Sequence, residues 1–434
     1  MSSFLNHGLL AATVALASGI GVPMARAAQP TADSATTWTR FVDGLRDIGA
    51  RTTAKALNPQ DAGYDEELYR MLATALAHGV INHLQSDPNY PDFTPGLNHV
   101  LNLAAPVPDF MYMSATITPG GVYRISGFRG SSRFVDFNFV TGQHALGEPM
   151  RSVGYVDLDK VHRDERGYFS FVISAERPKD YAGEWFALDP NAKAILVRKA
   201  SYDWLNEVDP RLAIERLDIP AAAPRTAPAE ISRKLLNLPK WTEHTVSVWL
   251  PELEAQRKGG VINRIEVIDY SGATQRKGAS GSVIGGGATG QVYLQGLYDV
   301  ADDEALILET EVPTQCRYWS VLLTDDKFAT IDWLAHQSSL NGFQAKLDDD
   351  GHFRAVISNR DPGVLNWLAT GGYPKGAIQF RWNNCSSSPQ PTIRKVKLAQ
   401  VRQNLPSSTP TVTPAERDRA LRLRREGAQL RIRW

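Results

Sequence analysis

Cysteine is almost missing from this chain: 434 residues hold two, Cys316 and Cys385. Two thiols lack the paired ligand spacing that a zinc site needs. In an oxidising compartment such a pair most often closes a disulfide. Cys316 opens one predicted strand and Cys385 closes another, so a Cys316–Cys385 bridge is expected, with two buried free thiols as the alternative. Charge of one sign is also missing, since 47 Lys and Arg balance 47 Asp and Glu. No global field therefore argues for a nucleic acid or an anionic membrane as partner. Long apolar runs are scarce. The run over 9–22 is too short and too rich in Gly and Ala for a membrane span. It precedes Ala25-Arg26-Ala27, which has the form of an export cleavage site, although 1–8 contain no Lys or Arg. The expectation is a signal peptide over 1–27, a mature protein starting near Ala28 that is periplasmic or secreted, and no integral membrane segment after cleavage.

What the chain does have is a second copy of itself. The stretch 167–198, GYFSFVISAERPKDYAGEWFALDPNAKAILVR, returns at 351–381 as GHFRAVISNRDPGVLNWLATGGYPKGAIQFR. The shared skeleton is Gly, Val-Ile-Ser, a Pro four residues on, Trp-x-Ala, then Ala-Ile-x-x-Arg. Its offset is 184 at the glycines, 182 at the tryptophans and 183 at the arginines. So long a period means a duplicated domain, not a solenoid. Arg133-Phe134 and Arg317-Tyr318 extend the match upstream, so the copies run over about 112–204 and 293–382.

Helical spacing comes first. Trp38, Phe41, Val42, Leu45 and Ile48 mark one helix, with Thr36 or Thr37 as its cap, and a second spans 65–84 until prolines break the pattern. His78 and His83, five apart, fall on different faces of a regular helix and read as packing residues, not as a metal pair. From Phe110 the period becomes two, the mark of half-buried strands. The spacer 220–228 is rich in Pro and Ala. A helical patch follows, containing Leu235, Leu238, Trp241, Trp249 and Leu253, and then a Gly/Ser loop over 278–290. In that loop Gly278-Ala279-Ser280-Gly281-Ser282 falls short of the G-x-S-x-G nucleophile elbow. Thr413-Pro414-Ala415-Glu416 is a capping box opening a basic helix, read as a solvated face on a docked helix, and alternation at Leu430, Ile432 and Trp434 suggests a short final strand. The predicted class is α+β: two tandem, internally duplicated antiparallel β-sandwich-like domains with helical N-terminal, linker and C-terminal segments. The boundaries are 28–108 for the N-terminal helical segment, 109–219 for the first β domain, 220–260 for the linker and helical patch, 261–405 for the second β domain, and 406–434 for the basic helix and tail.

The sharpest polar feature of each copy is an arginine inside a strand. Arg198 shares a face with Leu196 and Ala194, and Arg381 with Gln379 and Ala377. A guanidinium there must be paired or wet. It either forks onto a ligand carboxylate or holds an aspartate of its own domain, and recurrence in both copies favours the scaffold role. Asn341, Asn366 and Asp361, close to turns and to Trp367, complete the candidate ligand-binding set, with Trp367 and its twin Trp185 read as core anchors. Asp348-Asp349-Asp350-Gly351 reads as a hairpin loop without the ligand spacing of a calcium site. Asp325, Asp326 and Asp332 offer paired carboxylates of little specificity. No metal signature, cofactor loop or nucleophile-base pair is visible, so no cofactor is expected.

The ordered set Tyr318-Trp319-Ser320, Ser339-Leu340-Asn341, Asp350-Gly351, Asp361-Pro362-Gly363, Asn366-Trp367-Leu368 and Arg381-Trp382 resembles exported proteins carrying domain of unknown function 1214. The resemblance implies β-sandwich-like modules and an extracytoplasmic setting but no reaction. The chain departs from the family's pattern at Ala369 and Tyr373. The leading functional expectation is a protein of unknown biochemical function that holds a small-molecule, saccharide or polymeric ligand in a cleft between or within two β domains. The alternatives are a hydrolase or lyase using Asp361, Arg381 and Asn366, and a structural or assembly protein.

Overall fold

The computed structural model describes residues 32–55, 57, 63–268 and 287–431. The expected signal peptide, the near-match to a nucleophile elbow, and Ile432 and Trp434 lie outside them.

Helices α1 (Ala32–Arg46), α2 (Ile48–Thr53) and α3 (Tyr64–Gly79) lead into β1 (Thr94–Pro95), β2 (Phe110–Thr116), β3 (Tyr123–Phe128), β4 (Phe134–Thr141), β5 (Arg151–Asp157), β6 (Tyr168–Ser174), β7 (Glu184–Ala187), β8 (Ala194–Ala200) and β9 (Arg211–Arg216). After α4 (Pro228–Ser247) and α5 (Trp249–Lys258) the strands begin again: β10 (Glu266–Ile268), β11 (Gln291–Asp299), β12 (Glu304–Glu311), β13 (Cys316–Leu323), β14 (Ser339–Asn341), β15 (His352–Ser358), β16 (Trp367–Ala369), β17 (Lys375–Cys385) and β18 (Thr392–Lys397). Helix α6 (Pro414–Leu430) follows.

The duplication is complete at the level of topology. One five-stranded sheet has the order β1-β2-β8-β4-β5 and the other β10-β11-β17-β13-β14. The four-stranded sheets run β7-β6-β3-β9 and β16-β15-β12-β18. Even the parallel pairing recurs, β6 with β7 and β15 with β16. Each unit is thus a two-sheet sandwich whose interior takes alternate residues of its longer strands, among them Phe137, Phe171, Ile195 and Val197 in the first and Val321, Phe353, Phe380 and Trp382 in the second. Cys316 and Cys385 are partners across β13 and β17, and they form the disulfide.

The repeated motif has a local cause. Gly167 and Gly351 both take a left-handed turn, at φ of 77° and 79°, which costs glycine nothing. The serine of Val-Ile-Ser then receives the indole N–H of the matching tryptophan, Trp185 to Ser174 Oγ at 2.9 Å and Trp367 to Ser358 Oγ at 3.1 Å. These tryptophans are half-buried on edge strands, not core anchors, because the indole N–H must reach a serine at the sheet margin.

The two five-stranded sheets turn their outer faces to each other. Phe110, Phe134 and Ala200 of the first pack on Tyr318 and Leu322 of the second, giving four stacked layers. Asp109 sits in this seam and accepts hydrogen bonds from Trp204 Nε1 (2.8 Å), Asn341 Nδ2 (2.7 Å) and the Tyr318 hydroxyl (2.7 Å). Arg317 crosses it to Asp157 at 2.8 Å and to Asp159.

Several local expectations change. Helix α1 starts at Ala32, so Thr36 and Thr37 lie within it and not at its N-cap position. His78 and His83 share a face after all: α3 runs into a π turn over Val80–Leu84, closed by Gln85 N–H on Val80 O. That wider turn brings residues five apart together. Both rings pack on Trp241 of α4, at centroid distances of 5.6 and 5.3 Å, and the Trp241 indole N–H donates to His78 Nδ1. The turn at Asp348–Gly351 is tight but joins no hairpin, since β15 is flanked by β12 and β16. Its carboxylates Asp348 and Asp350 are held by Arg354. The Thr413–Glu416 capping box forms as read, but Arg417 and Arg431, at and beyond the docked face of α6, are buried, and Arg424 is half-buried. Arg417 binds Asp361 and Gln337, Arg424 stacks on Trp204, and Arg431 reaches Asp209 at 2.7 Å and the backbone oxygens of Asp109 and Lys199. The helix straps the second unit to the first.

Two consequences are measurable. Arg431→Ala strands the buried Asp209 carboxylate and should destabilise the fold by about 3–5 kcal/mol, read from urea denaturation. Burial drives the pKa of His78 and of His83 down to about 4, against about 6.5 unfolded. The unfolded chain therefore binds more protons between those values, and stability is full above pH 6.5 and lost as pH falls toward 4. Each histidine should contribute a loss on the order of 1–2 kcal/mol between pH 7 and 5. In His78→Gln and His83→Gln the slope should drop, a comparison that cancels the carboxylates titrating in the same range.

Candidate functional site

Where the two inner sheets diverge from the seam, a cavity of about 320 Å³ opens between them. Its strand walls come from alternate residues of β2 (Tyr112, Ser114, Thr116), β8 (Ala194, Leu196, Arg198), β11 (Gln291, Tyr293) and β17 (Gln379, Arg381), and its lateral wall from His78, Trp241, Thr245, Trp249 and His144. The lining is mainly apolar. Helices α4 and α5, which occupy the sequence between the copies, thus close one side of the wedge.

Register brings the duplicated arginines together. Arg198 pairs with Tyr112 on one side and Asp136 on the other. Arg381 pairs with Tyr293 and with Ser320 at the positions corresponding to these. The difference at the last position decides their electrostatics. Arg198 Nη1 contacts Asp136 at 3.4 Å. Burial pushes the Asp136 carboxyl up from the usual range, with Arg198 offsetting part of that, and its Oδ2 has no hydrogen-bond partner among the described residues. Arg381 meets the serine instead. It is only 6% exposed, donates from Nη2 to Gln379 Oε1 at 2.5 Å, and lies over the Tyr293 ring at 5.5 Å. Its Nη1 is buried without a hydrogen-bond partner, and it forms no ion pair among the described residues. Burial raises the pKa of the neighbouring Tyr112 hydroxyl, while the charges of Arg381 and Arg198 pull it back.

The other sequence candidates sit elsewhere. Asn341 is buried against Asp109 and the Tyr202 carbonyl. Asn366 ties Lys346 O to Arg354 O. Asp361 caps its own turn at Gly363 and receives Arg417. Asp361 and Asn366 belong to the outer four-stranded layer and Arg381 to the inner sheet, so the three do not converge. Sequence reasoning missed Tyr112, Tyr293, Gln291, His144 and Thr245 as lining residues. The two tyrosines had a signal, since they stand at the start of the two copies. The others depend on tertiary packing.

A second, polar cavity of about 360 Å³ is lined by Glu67, Asp325, Lys327, Asp332, His336 and Tyr373 among others. The carboxylates that looked paired are occupied: Lys327 Nζ, fully buried, contacts Glu67 at 2.8 Å and Asp326 at 2.9 Å. Burial raises Asp325 to about 6. Asp332 caps the backbone at Leu334. Among the described residues no three His, Cys, Asp or Glu side chains are grouped to hold a metal ion.

No curated protein matches the chain. Among solved structures it is similar to an uncharacterized protein from Burkholderia cenocepacia, 26% identical, with 84% of this chain and 98% of that one covered at a TM-score of 0.75. A protein from Vibrio parahaemolyticus matches at 12% identity, covering 76% of this chain and all of that one, at a TM-score of 0.43. Neither description names a ligand or a reaction. Residues 299–382 match the family described as "Protein of unknown function (DUF1214)", so the stretch that carries Ser320 and Arg381 resembles that family, as its residues Tyr318-Trp319-Ser320 through Arg381-Trp382 imply.

Proposed function

We propose that the protein is an extracytoplasmic binder of a small organic anion with an apolar body, a carboxylate in the first instance, held in the cavity between the inner sheets. The observation that carries this reading is Arg381: a buried guanidinium facing an apolar chamber, with Ser320 where the first copy supplies Asp136. Burying a charge without a partner is costly, and a carboxylate entering the chamber meets it in a charge-assisted fork. The volume lies at the lower end of the range for small-molecule pockets, roughly 300–1,000 Å³. Mainly apolar walls favour a compact amphipathic ligand over a saccharide or a polymer. The Cys316–Cys385 disulfide supports an oxidising compartment, in keeping with the export expected from the first 27 residues.

Decanoate is a suitable probe. It should raise the melting temperature of the protein, by the equivalent of about 2.7 kcal/mol at a hundredfold excess over its Kd. Ser320→Asp supplies Arg381 with the counter-ion that Arg198 already has. Affinity for decanoate should fall by about tenfold or more while the fold holds its stability or gains some, and Arg381→Leu should weaken binding similarly. Undiminished affinity in Ser320→Asp defeats the reading.

A further inference from the structure

The cavity has a second polar end. His144 lines it with both ring nitrogens buried and without hydrogen-bond partners among the described residues, and Thr245 Oγ1, on the α4 wall, is in the same condition. The imidazole is not loose: it lies edge-on to His244 at 5.3 Å between centroids and against Trp249 at 6.0 Å. Nothing in the packing of these rings uses the nitrogens, and an orphaned buried polar atom costs about 1–3 kcal/mol.

The strand register gives the distance between the two ends. At one end Tyr112 stands opposite Arg198, with Arg381 close enough to act on the Tyr112 hydroxyl. Four residues on, Thr116 stands opposite Ala194, and its Oγ1 accepts from Gln143 Nε2 at 3.5 Å. Gln143 is the residue before His144. Four strand residues span about 13 Å, and Leu196, Trp241 and Trp249 supply an apolar wall along that length.

We infer that the ligand is bipolar, with an anionic group at Arg381 and a hydroxyl at the opposite end met by His144 and Thr245, the two joined by an extended apolar segment. The inference rests on the anion-binding reading of this cavity and specifies the ligand class: medium-length ω-hydroxy carboxylates and molecules of the same outline. Burial holds the His144 pKa down at about 4, so the ring is neutral at pH 7 and offers one donor and one acceptor. A hydroxyl matches both. A second carboxylate would be buried there without a counter-charge, which disfavours it.

The test compares decanoate with its ω-hydroxy derivative by titration calorimetry on the wild-type chain, His144→Phe and Thr245→Val, each checked for folding by its melting temperature. Wild type should bind the hydroxy acid about tenfold tighter, the worth of one well-made hydrogen bond. His144→Phe keeps an aromatic ring at the wall and removes the nitrogens, so it should abolish that preference by lowering affinity for the hydroxy acid more than affinity for decanoate. Thr245→Val should reduce the preference in part. Equal affinity of wild type for the two acids, or equal loss for both in His144→Phe, overturns the bipolar inference and leaves anion binding standing. Failure of both acids to bind wild type overturns the anion reading and this inference with it. Should His144→Phe fold poorly, Thr245→Val and the wild-type comparison still decide the matter.

Discussion

Two sheets whose outer faces would ordinarily meet water are pressed against each other, and that burial sets the terms for the rest of the molecule. Every outward position of both inner sheets must be apolar or find a polar partner across or along the seam. Phe110, Phe134, Tyr318 and Leu322 meet the first demand. Asp109 meets the second by collecting Trp204, Asn341 and Tyr318 from three separate segments. Removing that carboxylate would leave several donors unpaired at once, so the seam is specified more by matched polarity than by apolar area. Arg431 belongs to the same arrangement, since it anchors the end of α6 on the Asp109 carbonyl and on Asp209.

Duplication explains why a cavity beside this seam is lined by two arginines. Two copies of one sheet, packed back to back, place equivalent residues near the axis that relates them, so Arg198 and Arg381 meet there. A symmetric solution would pair each with its own aspartate. The second copy has Ser320, and the balance of charge at the cavity tips to the guanidinium. Scaffold contacts were kept through the same history: the Trp185–Ser174 and Trp367–Ser358 bonds match, and both serines bond a carbonyl two residues on. Equivalent positions that diverge while their scaffold stays fixed are where function is to be sought.

The strand half of this architecture was legible in the sequence because it rests on period and repetition. Alternation placed Arg198 with Leu196 and Ala194, and Arg381 with Gln379 and Ala377, on shared faces, and Val-Ile-Ser to Trp-x-Ala announced the copy. The helical half was less so. Reading His78 and His83 on different faces assumed 3.6 residues per turn, and the π turn at Val80–Leu84 breaks that assumption with no residue to advertise it. Asn341, Asn366 and Asp361 looked like site residues because turn-rich segments often carry them, yet each satisfies a buried or turn backbone instead. His144 had no signal at all. Its place in the cavity wall depends on α4, about a hundred residues downstream, reaching back to the first sheet.

That reach closes one side of the cavity between the inner sheets. On one side of the paired sheets the seam is filled by aromatic side chains and the Asp109 hub, and α6 fastens it from outside. On the other, α3, α4 and α5 wedge the layers apart, with Trp241 and Trp249 facing inward. After the second copy α6 takes a path different from that of α4 and α5. Symmetry of the sheets therefore supplies the pair of arginines, both of which line the cavity beside the helices, and the change from Asp136 to Ser320 distinguishes them. A polar group at the helical end is then positioned by α4 packing on the α3 and His144 segments, independently of the strands that fix the guanidinium. The separation of the two ends is thereby set by the placement of a helix against a strand register.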